Sequence, residues 1–369
     1  MDTIEPTEST ISNDTKCVDC GALLKFAPGT NHLTCDYCGA ANEIAAAKNT
    51  VVLERDFNSF LKLSTSKEDL KEVHTVKCDG CGAQTTFKPN TVSDDCAFCG
   101  TSLVIENSSR QAIIKPESIL PFKVDQKSAF GHFGKWIKGL WFVPNDLKKY
   151  ANNIEKLKGV YIPYWTYDCR TISNYTGEQG INRREIEHYT EEVNGRTVSK
   201  TRTVTVTDWY PAAGKVNCYF DDMLTIASNS LPENYARKLE PWDLKNLIPF
   251  DEKYLSGFVT ESYQIGLKEG FEKVKPRTEQ TIRSTIIKDI GGDDQKIISV
   301  DTDYHNIKFK HTLLPIWISA YRYKGKVYRL MINGRTGEVQ GERPYSWVKI
   351  TLTIVGVVAA IGAVFVLFG

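Results

Sequence analysis

The sequence predicts a multidomain chain: two small four-cysteine modules, an α+β region carrying an internal duplication, and one C-terminal transmembrane helix. Three observations predict it. One cysteine pattern occurs twice near the N-terminus, two sets of strand and turn motifs recur in the same order further on, and the last twenty residues are uncharged and apolar. With 369 residues the chain is long enough for two or three units.

Residues 1–15 are polar and rich in Thr, Ser and Glu, and are expected to be disordered. The first cysteine set, residues 16–44, places Cys17 and Cys20 before Cys35 and Cys38. The second, residues 77–106, places Cys78 and Cys81 before Cys96 and Cys99. Both read C-x2-C-x14-C-x2-C, and each cysteine of the second set stands 61 positions after its counterpart. Two intervening residues let both sulfurs of a tight turn face one ion, and two such turns complete a tetrahedral thiolate site. A glycine follows each second cysteine (Gly21, Gly39, Gly82, Gly100). Positive φ there lets backbone N–H groups point at sulfur. These segments resemble zinc ribbons, which implies two structural zinc ions with the eight cysteines as ligands. Disulfides and redox-active C-x-x-C pairs compete with that reading. Disulfides belong to oxidising compartments, and redox chemistry normally uses one C-x-x-C at a βα junction. His32 lies inside the first set but is read as a loop residue, because four cysteines already fill the site.

Residues 45–76 read as a helical linker, with Val52, Leu53, Phe57, Phe60 and Leu61 at helical spacing and a second helix starting at Ser66–Asp69. Residues 111–345 read as an α+β domain with repeat halves 111–240 and 241–345. Ile119-Leu120-Pro121-Phe122-Lys123 reappears as Leu247-Ile248-Pro249-Phe250-Asp251, and the strand Val160–Trp165 as Leu313–Trp317. Thr176-Gly177-Glu178 reappears as Thr336-Gly337-Glu338, and both are expected to be turns. Asn194-Gly195 between β-rich runs predicts a long hairpin, either a docking edge or a solvated surface. Asn333-Gly334 is expected to turn in the same manner.

Residues 350–369 carry no charge and match the length of a hydrocarbon core. Tyr345 and Trp347 stand where an interfacial aromatic belt would lie, and Arg343 and Lys349 flank the span. The N-terminus has neither the basic start nor the apolar core of a signal peptide. The expected layout is therefore tail-anchored and single-pass in the cell membrane, with the N-terminal domains cytoplasmic. A reducing compartment agrees with free thiolates holding metal.

The formal charge is +1, and the ribbons are slightly acidic: two lysines against three acids in residues 16–44, and two against four in residues 77–106. Nucleic-acid binding normally shows a basic footprint. It is disfavoured here, although Lys135, Lys138, Lys148 and Lys149 form a local basic run. No phosphate loop, H-E-x-x-H or G-x-S-x-G occurs. His305 and His311 have no evident partner, and Cys169 and Cys218 read as buried core thiols. No catalytic residue and no small-molecule substrate are expected, with an unrecognised site in the α+β region as the alternative.

The whole chain resembles a bacterial family of tail-anchored membrane proteins with two N-terminal zinc ribbons, often labelled primosomal-helicase-like or transcription-factor-type zinc-ribbon proteins. The ribbon cysteines carry the resemblance, together with Trp141–Leu147, Lys158–Trp165 and Asn333–Ser346 leading into the apolar tail. It implies a scaffold that brings phage-shock-type and SPFH-domain proteins to the membrane under envelope stress. The helicase label fits poorly, since the nucleotide site is missing.

Overall fold

A computed structural model describes residues 16–45, 52–62, 70–86, 93–104, 108–145, 157–193, 196–324 and 326–368. Strands β1 (Lys25–Phe26), β2 (His32–Thr34) and β3 (Ala41–Glu43) form an antiparallel sheet within the first cysteine set. Strand β4 (Arg55–Asp56) runs into helix α1 (Phe57–Lys62), and β5 (Leu70–Lys77) leads into the second set. That set holds β6 (Gln84–Thr86), β7 (Ser93–Asp95) and β8 (Ser102–Val104). Strand β9 (Ser108–Ile114) returns along β5, and β10 (Ser118–Ile119) precedes helix α2 (Gln126–Gly139). Then come β11 (Lys158–Val193), β12 (Arg196–Ile226), α3 (Glu233–Lys238), β13 (Ile248–Pro249) and β14 (Val259–Glu261). Helix α4 (Leu267–Ile290), β15 (Asp294–Tyr323), β16 (Lys326–Asn333), β17 (Val339–Gly341) and α5 (Trp347–Phe368) complete the chain.

Most strands join one large mixed sheet with β11 at its centre, between β12 and β15. The β11–β15 ladder runs antiparallel from Lys158↔Ile318 to Gly180↔Asp294. Side chains alternate between faces along each strand, and here the alternation separates two cores. Val160, Ile162 and Tyr164, with Leu314, Ile316 and Ile318, pack against Val76, Cys78, Ala83, Cys96 and Phe98 of the second ribbon. Tyr161, Leu313 and Trp317 pack against Cys17, Leu24, Phe26, Leu33 and Cys35 of the first. The ribbons thus dock on opposite faces of the same strands. Ribbon 2 is also stitched into the sheet edge, where β6 pairs with β5 and β14.

Further along the sheet, α4 covers the strands with one apolar stripe. Leu267, Phe271 and Val274 pack with Trp165, Tyr167 and Phe309, and Ile282, Ile286 and Ile290 with Tyr175, Val216 and Cys218. Its start is held by two buried aromatic donors: Trp165 Nε1 donates to the Ile265 carbonyl at 2.8 Å and the Tyr167 hydroxyl to that of Leu267 at 2.6 Å. Beyond Gly180 the ladder to β15 ends, and β11 and β12 continue alone as a projecting arm.

Three local expectations are corrected. Among the described residues of 45–76, the reading as a helical linker holds for the six residues of α1. Leu70–Lys77 is a strand, because its backbone pairs with β9 and β6 and its β-branched residues Val73, Thr75 and Val76 are buried; the start at Ser66–Asp69 lies outside the described residues. Thr176-Gly177-Glu178 is not a turn but the middle of β11, at a register shift against β15. Gly177 is required there because a Cβ would meet the Lys296 carbonyl oxygen at 2.4 Å. Its counterpart Thr336-Gly337-Glu338 does lie in a turn, but that turn spans more than Asn333-Gly334. Asn333 N–H donates to the Glu338 carbonyl, and its side-chain oxygen accepts from the N–H groups of Arg335 and Thr336. The expected hairpin around Asn194-Gly195 is present as far as Val193↔Arg196. Residues 1–15 lie outside the described residues.

Gly270 offers a test of the α4 contact. Alanine normally favours a helix over glycine by about 1 kcal/mol. At this position a Cβ would fall 2.5 Å from the Tyr167 hydroxyl and 2.8 Å from the Trp165 ring. The sign therefore inverts: Gly270→Ala should destabilise the protein by roughly 1–3 kcal/mol, read as a lower urea midpoint in detergent solution.

Candidate metal centres

The four C-x-x-C turns share one backbone conformation. In each, the first cysteine's N–H donates to the carbonyl five residues on (Ala22, Ala40, Ala83, Thr101), and the glycine's N–H donates back to the first cysteine's carbonyl. The glycines have φ of 74°, 77°, 77° and 75°, a left-handed conformation that costs other residues energy. This closes the turn so that backbone N–H groups face the sulfurs. The N–H groups of Cys20 and Asp19 depress the Cys17 thiol, and those of Cys38 and Tyr37 bring Cys35 down to about 7. In the second set the neighbouring Cys96 lowers the Cys81 thiol to about 5, while Cys96 itself is pushed up by that neighbour and by burial.

Within each set all four Sγ atoms lie within 4.8 Å of one another. Cys17–Cys38 and Cys20–Cys35 are 3.6 and 3.5 Å apart, and Cys78–Cys99 and Cys81–Cys96 are 3.5 and 3.6 Å. A tetrahedral ion with metal–sulfur bonds of about 2.3 Å sets sulfur–sulfur edges of roughly 3.8 Å, so both cages fit one such ion. The structure brings together all eight cysteines picked from the spacing, in two clusters of four. His32 is on β2, outside the cluster. Each cage has two cysteines in the protein core and two toward the surface, except that Cys81 and Cys99 are half-buried.

Two polar sites were not legible in the spacing. The first is Glu261 on β14, fully buried beside the second ribbon. Its Oε1 accepts from the hydroxyls of Ser228 (2.9 Å) and Ser230 and from the Gln264 amide at 3.3 Å. Burial raises its pKa to about 8 against the lowering effect of the two serines, with the Cys81 thiolate adding to the rise.

The second is a charged cluster at a bulge of the hairpin, where β12 places Asp221 and Asp222 opposite Asp168 between Tyr167↔Met223 and Cys169↔Phe220. Asp222 has φ 47°, and its N–H donates to the Asp168 carboxylate at 2.6 Å. The carboxylates of Glu54, Asp168 and Asp221 lie within 4.8 Å of one another. Lys310 brings an ammonium into this group, 2.7 Å from Asp222 and 3.3 Å from Glu54, on a side chain only 8% exposed. The lysine supplies the countercharge, with Glu54 and Asp222 as its ion-pair partners. Burial lifts Asp168 to about 7.

The remaining candidates fall outside both cages. Cys169 and Cys218 are core thiols, and burial pushes Cys169 up to about 11. His311 is buried between Trp165 and Tyr263, its Nδ1 2.8 Å from the Ile114 carbonyl, and burial lowers it to about 4. Lys135 and Lys138 are on α2; Lys148 and Lys149 lie outside the described residues. Among the described residues, one helix segment, Trp347–Phe365, is long and apolar enough to cross a membrane, with a mean hydropathy of 2.2 and none of its residues buried.

No family model matches the chain, and no solved structure matches it. It is similar to an uncharacterized protein of Bacillus subtilis (strain 168), YdjG, with 26% identity over 344 residues, covering 93% of each chain.

Two outcomes are expected. Elemental analysis should find two metal ions per chain, falling to one in Cys17→Ser and in Cys78→Ser; no bound metal in the wild type would sink the assignment. For Glu261 the sign follows from its raised pKa. Its stabilising, protonated form is fully present below the ordinary carboxylate range and is lost as pH rises through about 8. Glu261→Gln should therefore gain in unfolding free energy over the wild type as pH rises from about 5 to about 9, measured by urea titration at each pH.

Proposed function

We propose that the chain is a non-enzymatic, membrane-anchored zinc-binding adaptor that recruits cytoplasmic proteins to the membrane in envelope stress. The observation that carries this reading is α5, an apolar helix of spanning length in which no residue from Trp347 to Phe365 is buried by the described residues. Such a surface is stable in lipid and costly in water. Zinc is the ion the cages suit best: four thiolates in a tetrahedron, no open position for substrate, and N–H groups aimed at the sulfurs. That is a structural site. Its role is to complete two modules too small to fold on their own apolar residues.

The recognition element in this reading is the arm. From Ile181↔Asp208 to Val193↔Arg196, thirteen residue pairs project as a two-stranded ribbon, about 40 Å long at roughly 3.3 Å per residue. Isolated hairpins are marginal in water. This one carries cross-strand ion pairs, Arg183–Asp208 at 2.7 Å and Arg202–Glu187 at 2.6 Å. Exposed Ile186 and Val198 leave apolar anchor points between the charges, and its outer strand edges offer unpaired backbone groups for strand addition. The partners in view are SPFH-domain and phage-shock-type proteins, on the family resemblance. The body is read as a duplicated unit; support comes from the recurring motifs pairing with each other, Ile119↔Ile248 and Pro163↔Leu313.

Two deletions test the adaptor reading. Removing residues 350–369 should release the chain and its partner from membranes while leaving them co-purifying. Replacing residues 183–206 by a two-residue turn should abolish partner recovery and keep the metal content. Partner localisation at the membrane that survives loss of residues 350–369 would overturn the anchor role.

A further inference from the structure

The start of α5 is gripped by the loop that follows α2. Lys349, in the first turn, donates through its ammonium to the carbonyls of Trp141 (3.1 Å) and Val143 (2.9 Å) and to the Asn145 side chain (2.7 Å). Ser346, just before the helix, donates its N–H to the Phe142 carbonyl at 2.7 Å. The three hydrogens of the ammonium are thereby used on one loop. A lysine at this depth usually extends its charge toward lipid headgroups; here protein carbonyls receive it. The loop is in turn pinned to the body by Val143, which is buried in the core beneath α2.

The same loop turns its largest side chains outward. Trp141 is 71% exposed and Phe142 37%, and Trp347 on the helix is 77% exposed. Tyr345 is exposed beside them in sequence. These four aromatics come from two segments more than 200 residues apart that are hydrogen-bonded together at the first turn of the apolar helix. Exposed tryptophan and phenylalanine cost free energy in water. At the level where a spanning helix leaves the hydrocarbon they are stabilised, because the ring body meets acyl chains and the indole N–H meets headgroups.

We propose that the Trp141–Phe142 loop is a second membrane contact, inserting its two aromatic side chains into the bilayer interface beside the start of α5. This rests on the reading of α5 as a membrane span. Lipid is chosen over a protein partner because the patch is continuous with the helix surface that the bilayer would cover. The contact gives the body two points of attachment, the helix and the loop, joined rigidly through Lys349. The body is then held at a fixed tilt against the membrane and does not swing on a single tether.

The test uses the full chain in lipid nanodiscs of phosphatidylcholine and phosphatidylglycerol, with fluorine-labelled tryptophan. The seven tryptophan resonances are assigned by single Trp→Phe variants, and spin-labelled lipid is added with the label near the glycerol. Trp141 and Trp347 should both lose signal, while Trp165 and Trp317, buried in the body, keep theirs. Loss at Trp347 without loss at Trp141 would overturn the loop contact and leave the anchor standing. Loss at neither would overturn both. A Trp141 signal untouched by the lipid label but shifting with protein concentration would assign the face to a second copy, again against the proposal. Lys349→Met supplies the linkage: Trp141 should recover signal in this variant while Trp347 remains quenched, and unchanged quenching at Trp141 would show that the Lys349 clamp does not hold the loop at the bilayer.

Discussion

Between Lys158 and Gly180, β11 pairs antiparallel with β15, and the period-two alternation along that ladder places the other parts of the molecule. Even-numbered residues from Val160 to Tyr164 face one ribbon, and Tyr161 faces the other. Further along, Trp165 and Tyr167 turn to α4. A one-residue slip in register would exchange the two faces and leave both ribbons against the wrong side chains. The ladder is thus the constraint on which both metal modules, the long helix and the direction of the arm depend.

The metal cages share in that dependence. Each has two cysteines within a hydrophobic core, so the thiolates are partly walled off from water and the ion would be bound by a preformed shell. Structural thiolate sites of this kind contribute on the order of 10 kcal/mol to folding at neutral pH. Because ribbon 2 also supplies strand β6 to the main sheet, metal binding and sheet formation are coupled there. Ribbon 1 keeps its own small sheet and meets the body through side chains and a few backbone bonds, such as Phe26 N–H to the Ser256 carbonyl.

Charge inside the body is handled locally. Lys310 sits among Glu54, Asp168 and Asp222, where the loss of hydration of one ion is offset by several opposite charges. Among the described residues Glu261 has serine and amide donors but no cation, and burial holds it protonated near neutral pH. Both sites occur where strands depart from regular pairing or reach a sheet junction, which is why neither announces itself as a motif.

By itself the sequence determined the local chemistry. The cysteine spacing with its four glycines specifies two tetrahedral cages, because a C-x-x-C turn closes within a few residues. Twenty uncharged residues specify a spanning-length apolar helix, and Asn194-Gly195 specifies a hairpin, because these signals are also local. The same reasoning failed where distant pairing overrides local pattern. Leu70–Lys77 reads as the end of a helical stretch but is drawn into a strand by β9, and Thr176-Gly177-Glu178 resembles a turn but lies within a continuous ladder. Only the tertiary structure decided that the ribbons occupy opposite faces of one sheet, that Lys310 meets its acids, and that Lys349 holds the Trp141 loop at the start of the apolar helix. Each of those facts joins residues far apart in the chain, and their contact depends on strand register, which no short motif encodes.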